Sequence, residues 1–224
     1  DAFKKSDEEI LTLLASQAAV AIENARLYET IRTNELRLEK EIRFAQRVQA
    51  ALLPTELPKR MKHVDVAARF EPARELGGDL YDFLAPEPNT LVIAVGDVSG
   101  KGVPAALYGA FAGELVRSRT FRRRYSSDRS GPAQVMASMN TILYERQLEE
   151  YYCTMIYAVF DFKRRTLTMS NAGLPYPVRK RGGALGEPAA QIELPDVPLG
   201  SFSGSNYDEL VLDLKPGDLF VFVT

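Results

Sequence analysis

The sequence predicts an α+β domain, with helices packed on antiparallel sheet, entered through one long N-terminal helix. Three observations carry this. Residues 6–53 hold neither glycine nor proline and repeat their apolar residues at helical spacing. Beyond Pro54 come short apolar runs of strand length, parted by Gly/Pro turns. Two helical segments interrupt those runs together, without the strand–helix alternation of a doubly wound sheet.

The N-terminal helix is expected from Ser6 to about Leu53, with Ser6 and Glu9 as a capping box. Its stripe runs through Leu11, Leu14, Ala18, Ile22 and Ala25, then Ile31, Leu38, Ile42, Ala45 and Leu52. The heptad phase slips between Tyr28 and Ile31, where the spacing falls short of three-four alternation. So narrow a stripe over such a length reads as a coiled-coil seam, and hence a homodimer; a helix folded back on its own domain is the alternative. The expected organisation is a helical connector over 1–55 and a catalytic-type domain over 56–224.

Pro54 and Pro58 in "LLPTELP" end the helix. Strands are expected in "HVDVAARFEP", "DLYDFLAPE" and "TLVIAVGDV", the last central in its sheet because it is apolar on both faces. Helices follow at about Val103–Phe121, with Pro104 in the first turn, and Pro132–Glu150. The strands "YCTMIYAVFDF", "RTLTMSNAG", "YPVRK", "YDELVLDL" and "DLFVFVT" complete the pattern.

Composition narrows the chemistry. The chain has 224 residues, 46% hydrophobic and 26% charged, with a net charge of -2. This is the balance of a folded globular protein and offers no whole-chain electrostatic case for nucleic acid or an anionic membrane. A single cysteine, Cys153, excludes a disulfide framework, and no Cys/His cluster is available for zinc; a cytoplasmic setting is expected. No apolar run approaches the ~20 residues of a membrane span. The opening "DAFKKSDEEI" is too charged for a signal peptide, lacks a starting Met and begins in mid-pattern, so a piece of a longer protein is expected.

His63 is the only histidine, so a Ser-His-Asp or Cys-His site would have to be built on it alone, and a strand-edge role is expected instead. Cys153 has Val159, not arginine, six positions on, which excludes the anion-holding loop of a thiol phosphatase; it reads as a small core residue. The stretch "VGDVSGKGVPAAL", Val95 to Leu107, invites a phosphate-cradle reading. It fails as a P-loop: Gly96 to Gly100 is one residue short, and Gly102 stands where the magnesium-binding hydroxyl belongs. "GGDLYDF" echoes the GGDEF hairpin of diguanylate cyclases, but Leu80 follows Asp79 and the echo stops there.

Asp79 follows a Gly-Gly turn at the start of one strand, and Asp97 lies at the end of the next. Paired in a hairpin, their carboxylates would approach and repel unless a divalent cation sat between them. Oxygen donors suit Mg²⁺ or Mn²⁺, and the flanking glycines let a main-chain carbonyl such as that of Val98 join. The alternative is that both aspartates are turn and N-cap residues. The run "RSRTFRRRY" holds Arg117, Arg119, Arg122, Arg123 and Arg124 and reads as a solvated helix terminus, with a docking patch for an acidic partner as the alternative.

"FAQRVQAALLP", "ELGGDLYDF", "VIAVGDVSGKGVPAAL", "NAGLPYP", "PLG" and "LKPGDLFVFVT", in this order, resemble the bacterial PPM (PP2C-like) serine phosphatases of the SpoIIE and RsbU type over about Phe44 to Thr224. "LTLLASQAAVAIENARLYE" resembles the last helix of a GAF sensor domain running into a connector. The resemblance implies a PP2C-like β-sandwich flanked by helices and a metal-dependent hydrolase of phosphoserine or phosphothreonine. It further implies a small protein substrate, commonly an anti-anti-sigma factor of the STAS fold, and two Mn²⁺ or Mg²⁺ ions that activate a water. On that basis Asp97 bridges both metals, Val98 lends its carbonyl, Asp79 binds one metal directly or through water, and Gly78 and Gly100 shape the turns; Lys101 is a loop or docking residue.

Two departures from the family pattern stand out. Leu174 follows Asn171, Ala172 and Gly173 where the family reads N-A-G-H. After "FVFVT" the family continues with Asp-Gly, whose aspartate is a further metal ligand; the domain is therefore expected to be C-terminally incomplete, and the chain as written unable to hold two metals properly. A catalytically inactive signalling scaffold and a GGD-type nucleotide cyclase are the rival readings.

Overall fold

The computed structural model describes residues 4–54, 61, 64–72, 75–122, 131–146, 151–183 and 188–224. Contacts divide the chain into two compact units, Asp1–Phe44 and Ala45–Thr224. Helix α1, Lys5–Leu52, has no buried residue. Leu11, Leu14, Ile22 and Ile31 of its apolar stripe are all more than half exposed. The helix starts differently from the expected Ser6–Glu9 box: Lys4 N–H donates to the Asp7 carboxylate at 2.9 Å, so the aspartate in the third helical position reaches back to the cap. None of the helices among the described residues is long and apolar enough to cross a membrane.

In the second unit, β1 (Leu80–Glu87), β2 (Thr90–Val98), β3 (Cys153–Asp161), β4 (Thr166–Ala172) and β7 (Leu210–Asp213) form one sheet in the order β1-β2-β3-β4-β7. A smaller sheet has β6 (Ala190–Gln191), β5 (Val178–Lys180) and β8 (Leu219–Val221), with β5 in the centre. Every named pairing is antiparallel. Between β2 and β3 come α2 (Val103–Arg122) and α3 (Pro132–Glu145).

Two cores explain the order of layers. Val92 and Ala94 of β2 join Tyr157 of β3, Tyr108 and Val116 of α2 and Met136 and Met139 of α3 in the first. Leu91 and Ile93, on the opposite face of β2, join Ile156, Leu167, Met169 and Leu174 in the second, against which Phe220 of β8 packs. The apolar run of β2 is therefore buried on both sides, as its sequence required. The Phe160 and Phe220 rings meet edge-on at 5.7 Å across the two sheets. The result is the α+β sandwich expected, preceded by the long helix.

Some expected elements change. Residues 64–72 form no strand; Val64 and Val66 still pack on the second core, so their alternation records burial rather than strand pairing. Helix α3 ends at Glu145, with Arg146 as its C-cap, and not at Glu150; residues 147–150 lie outside the described residues, as do Pro58 and His63. Its N-terminus is satisfied from a distance, the Ala133 N–H donating to the Glu209 carboxylate at 2.9 Å.

Candidate active site

The β1–β2 hairpin brings the two sequence-predicted aspartates together. Leu80 pairs with Gly96, and one more step in this register sets Asp79 opposite Asp97. A further step sets Gly78 opposite Val98, whose N–H donates to the Gly78 carbonyl at 3.3 Å. Across the next ladder Asp97 pairs with Thr154, whose hydroxyl donates to the Asp97 carbonyl at 3.2 Å. The Asp97 carboxyl is pushed above its ordinary value, first by burial, then by the charge of Asp79 and a hydrogen bond between the two side chains, with the Val98 N–H opposing. Among the described residues no group of three or more His, Cys, Asp and Glu gathers closely enough to hold a metal ion, so the pair stands with main-chain oxygens.

Gly78 is demanded by close approach. A Cβ there would lie 2.5 Å from the Val98 oxygen and 3.2 Å from Asp97 Oδ1, so any side chain would fill the space between the turn and the carboxylate. Gly100 is demanded by both conformation and space: its φ is +91°, and a Cβ would lie 3.0 Å from the Tyr151 ring. The loop after Asp97 is latched by Ser99, whose N–H donates to the Tyr152 carbonyl at 2.9 Å while its hydroxyl accepts from Tyr152 N–H at 3.0 Å. Lys101 at the loop tip is exposed.

Three residues that the sequence alone does not assign hold this site. The Gln49 side-chain amide donates to the Gly77 carbonyl at 2.7 Å and its oxygen accepts from Gly77 N–H at 3.4 Å, gripping the turn just before Asp79. The one available signal was a polar residue midway between Ala45 and Leu52 on the apolar stripe. Arg117 departs from both readings of the arginine run. Its Nε donates to buried Asp82 at 2.6 Å and its Nη2 to the Leu52 carbonyl at 2.6 Å, so it joins α2, β1 and the end of α1. Gly109 is the third, because a Cβ there would lie 3.0 Å from the Gly78 carbonyl. The Arg122 side chain, Arg123 and Arg124 lie outside the described residues.

Leu174 is buried in the second core, and Asn171 closes the turn below it, donating to the Leu174 carbonyl and accepting its N–H, both at 2.9 Å. The loop that departs from the family pattern thus serves packing in this chain. Cys153 is fully buried and its thiol is held far above the ordinary range by burial, in keeping with a core residue.

The family model for Stage II sporulation protein E (SpoIIE) matches residues 87–224. The chain is 29% identical over 146 residues to phosphoserine phosphatase RsbU of Bacillus subtilis, covering 65% of this chain and 41% of that protein. It therefore spans about two fifths of the length of this relative. The SiaA-PP2C domain of Pseudomonas aeruginosa superposes with a TM-score of 0.66 at 20% identity, covering 83% of this chain and 71% of that one, which establishes the PP2C-like fold. RsbX in complex with magnesium superposes with a TM-score of 0.51 at 17% identity, covering 66% of each chain. With a family model matched over more than half its length and the PP2C-like sandwich in place, the chain belongs to the SpoIIE family.

Proposed function

We propose that the protein is a metal-dependent serine/threonine phosphatase that hydrolyses phosphoserine or phosphothreonine on a regulatory protein of the STAS fold. The observation that carries this is the opposition of Asp79 and Asp97 beside the Val98 carbonyl, with Gly78 keeping the space open. The likeness to phosphoserine phosphatase RsbU supports the reaction class. The donor set fits a hard cation: two carboxylates and a main-chain oxygen are what Mg²⁺ or Mn²⁺ takes from protein while keeping waters of its own. Burial first, and then the charge of Asp79, raises the Asp97 carboxyl above its ordinary value, and a cation between the two carboxylates would offset both.

Bound there, Mn²⁺ or Mg²⁺ would lower the pKa of a water and neutralise charge on the phosphoryl group. The Asp97 and Asp79 carboxylates and the Val98 carbonyl are the groups of this chain that would hold the metal. The β1–β2 ladder fixes the spacing of the two carboxylates, and the Ser99–Tyr152 latch holds the loop after Asp97. No histidine or cysteine nucleophile is needed. The test is phosphate release from a phosphoserine-bearing STAS-fold protein: Mn²⁺-dependent turnover by the full protein, lost in Asp97→Asn, supports the proposal. Partner binding with no turnover in the unsubstituted protein would support an inactive scaffold instead.

The exposed stripe of α1 supports a second part of the same reading, a homodimeric connector that carries a signal from an upstream sensor domain. The grip of Gln49 on Gly77 and of Arg117 on Leu52 gives the last turns of α1 a mechanical hold on the strand that presents Asp79. Sedimentation equilibrium reads the dimer directly, and a monomer at tens of micromolar would remove the seam.

A further inference from the structure

The face of α2 that borders Asp79, Leu80 and Gln49 carries Ala106, Gly109, Ala110 and Gly113. The two glycines are not equivalent. A Cβ on Gly113 would make ordinary contact, 4.0 Å from Leu80 Cδ1, whereas one on Gly109 would press on the Gly78 carbonyl at 3.0 Å. That carbonyl is the acceptor for Val98 N–H at 3.3 Å. A Cβ on Gly78 itself would in turn strike the Val98 oxygen at 2.5 Å. Three backbones are therefore stacked without intervening side chains: α2 at Gly109, the turn at Gly78, and β2 at Val98. Asp79 follows the middle layer directly and Asp97 precedes the last.

We propose that Gly109 is a positioning residue for the carboxylate pair: by omitting a side chain it sets how closely Gly78, and with it Asp79, lies on Asp97 and Val98, and so sets the affinity for a divalent cation. The inference rests on the metal-site reading above and adds to it a specific control on α2. Neither glycine has a positive φ, so alanine fits the helix at both positions and raises helical propensity at both. Only at Gly109 does it push the turn, by a few tenths of an ångström. Displacing such a support is expected to weaken metal binding about tenfold.

The experiment titrates Mn²⁺ alone into the unsubstituted full protein and its Gly109→Ala and Gly113→Ala variants by calorimetry, with metal-free melting curves for all three. The expected result is a dissociation constant about tenfold higher for Gly109→Ala and unchanged for Gly113→Ala, while both melt at or above the unsubstituted protein. Equal Mn²⁺ affinity in Gly109→Ala and Gly113→Ala overturns the proposal. A metal-free Gly109→Ala that melts well below Gly113→Ala also overturns it, because the effect is then general packing. No Mn²⁺ binding by the unsubstituted full protein overturns the metal-site reading and this inference with it.

Discussion

Arg117→Met removes a guanidinium that ties together three elements and keeps most of its volume. In the native arrangement its Nε donates to Asp82 at 2.6 Å, and its Nη2 donates to the Leu52 carbonyl at 2.6 Å. The Asp82 side chain is only 5% exposed and that of Arg117 32%. After the substitution the Asp82 carboxylate keeps the Phe83 N–H at 2.9 Å and loses its cation. Breaking a fully buried pair from one side costs roughly 3–5 kcal/mol, because it strands a charge. Water reaches the guanidinium side here, which lowers the expected loss to about 2–3 kcal/mol. The Leu52 carbonyl, one of the last four of α1 and so without an intrahelical partner, loses its donor as well. For a domain of this size the melting temperature should fall by roughly 4–12 °C. Urea unfolding followed by circular dichroism measures the loss. The double variant Asp82→Asn/Arg117→Met should recover part of it, since no charge is then stranded. A loss under about 0.5 kcal/mol in Arg117→Met, or a double variant worse than the sum of the singles, would refute the reasoning.

Asp218 supplies a pH signature. Burial pushes its carboxyl up, but N–H groups of Gly182 and Lys215 and the Arg179 guanidinium at 2.5 Å outweigh this, leaving it below the ordinary value of 3.8. A depressed folded-state value means stability that is present above the unfolded pKa and lost as pH falls through the folded one. Asp218→Asn should therefore be less stable than the native chain at pH 7, with the gap closing below about pH 4; a gap independent of pH between 7 and 3 contradicts this. In the connector, one residue inserted after Tyr28 restores three-four spacing across the slip. It should leave the dimer intact in sedimentation equilibrium and change the phosphatase rate of the full protein; an unchanged rate counts against regulation through the helix.

Much of the site is legible because it is local. "TLVIAVGDV" is apolar on both faces, which makes it a central strand, and a hairpin with "DLYDF" then leaves little choice of register. The opposition of Asp79 and Asp97 follows from that register. What sequence reading misses is held by distant contacts. Gln49 meets Gly77 across 28 positions and Arg117 meets Leu52 across 65, and nothing near either residue in the chain announces the partner. Gly109 looks like a helix-weakening glycine until the Gly78 carbonyl is seen above it. The alternation in 64–72 misleads because period-two burial does not require a pairing strand, and the two-residue β6 is too short to leave any periodicity. Asp7 displaced the expected Ser6–Glu9 cap because the helix begins earlier, with the Asp7 carboxylate in the third helical position accepting the Lys4 N–H.

The central claim, that the opposed aspartates form a metal-dependent phosphatase site, meets its most direct test in one assay. Phosphate release from a phosphoserine-bearing STAS-fold substrate is followed in the full protein and its Asp97→Asn variant, with Mn²⁺ and with chelator. The account predicts turnover only in the unsubstituted protein with Mn²⁺ present, and a loss of at least about 10³-fold in Asp97→Asn, or roughly 4 kcal/mol of transition-state stabilisation. Turnover that persists in chelator, or in Asp97→Asn at the unsubstituted rate, would contradict it.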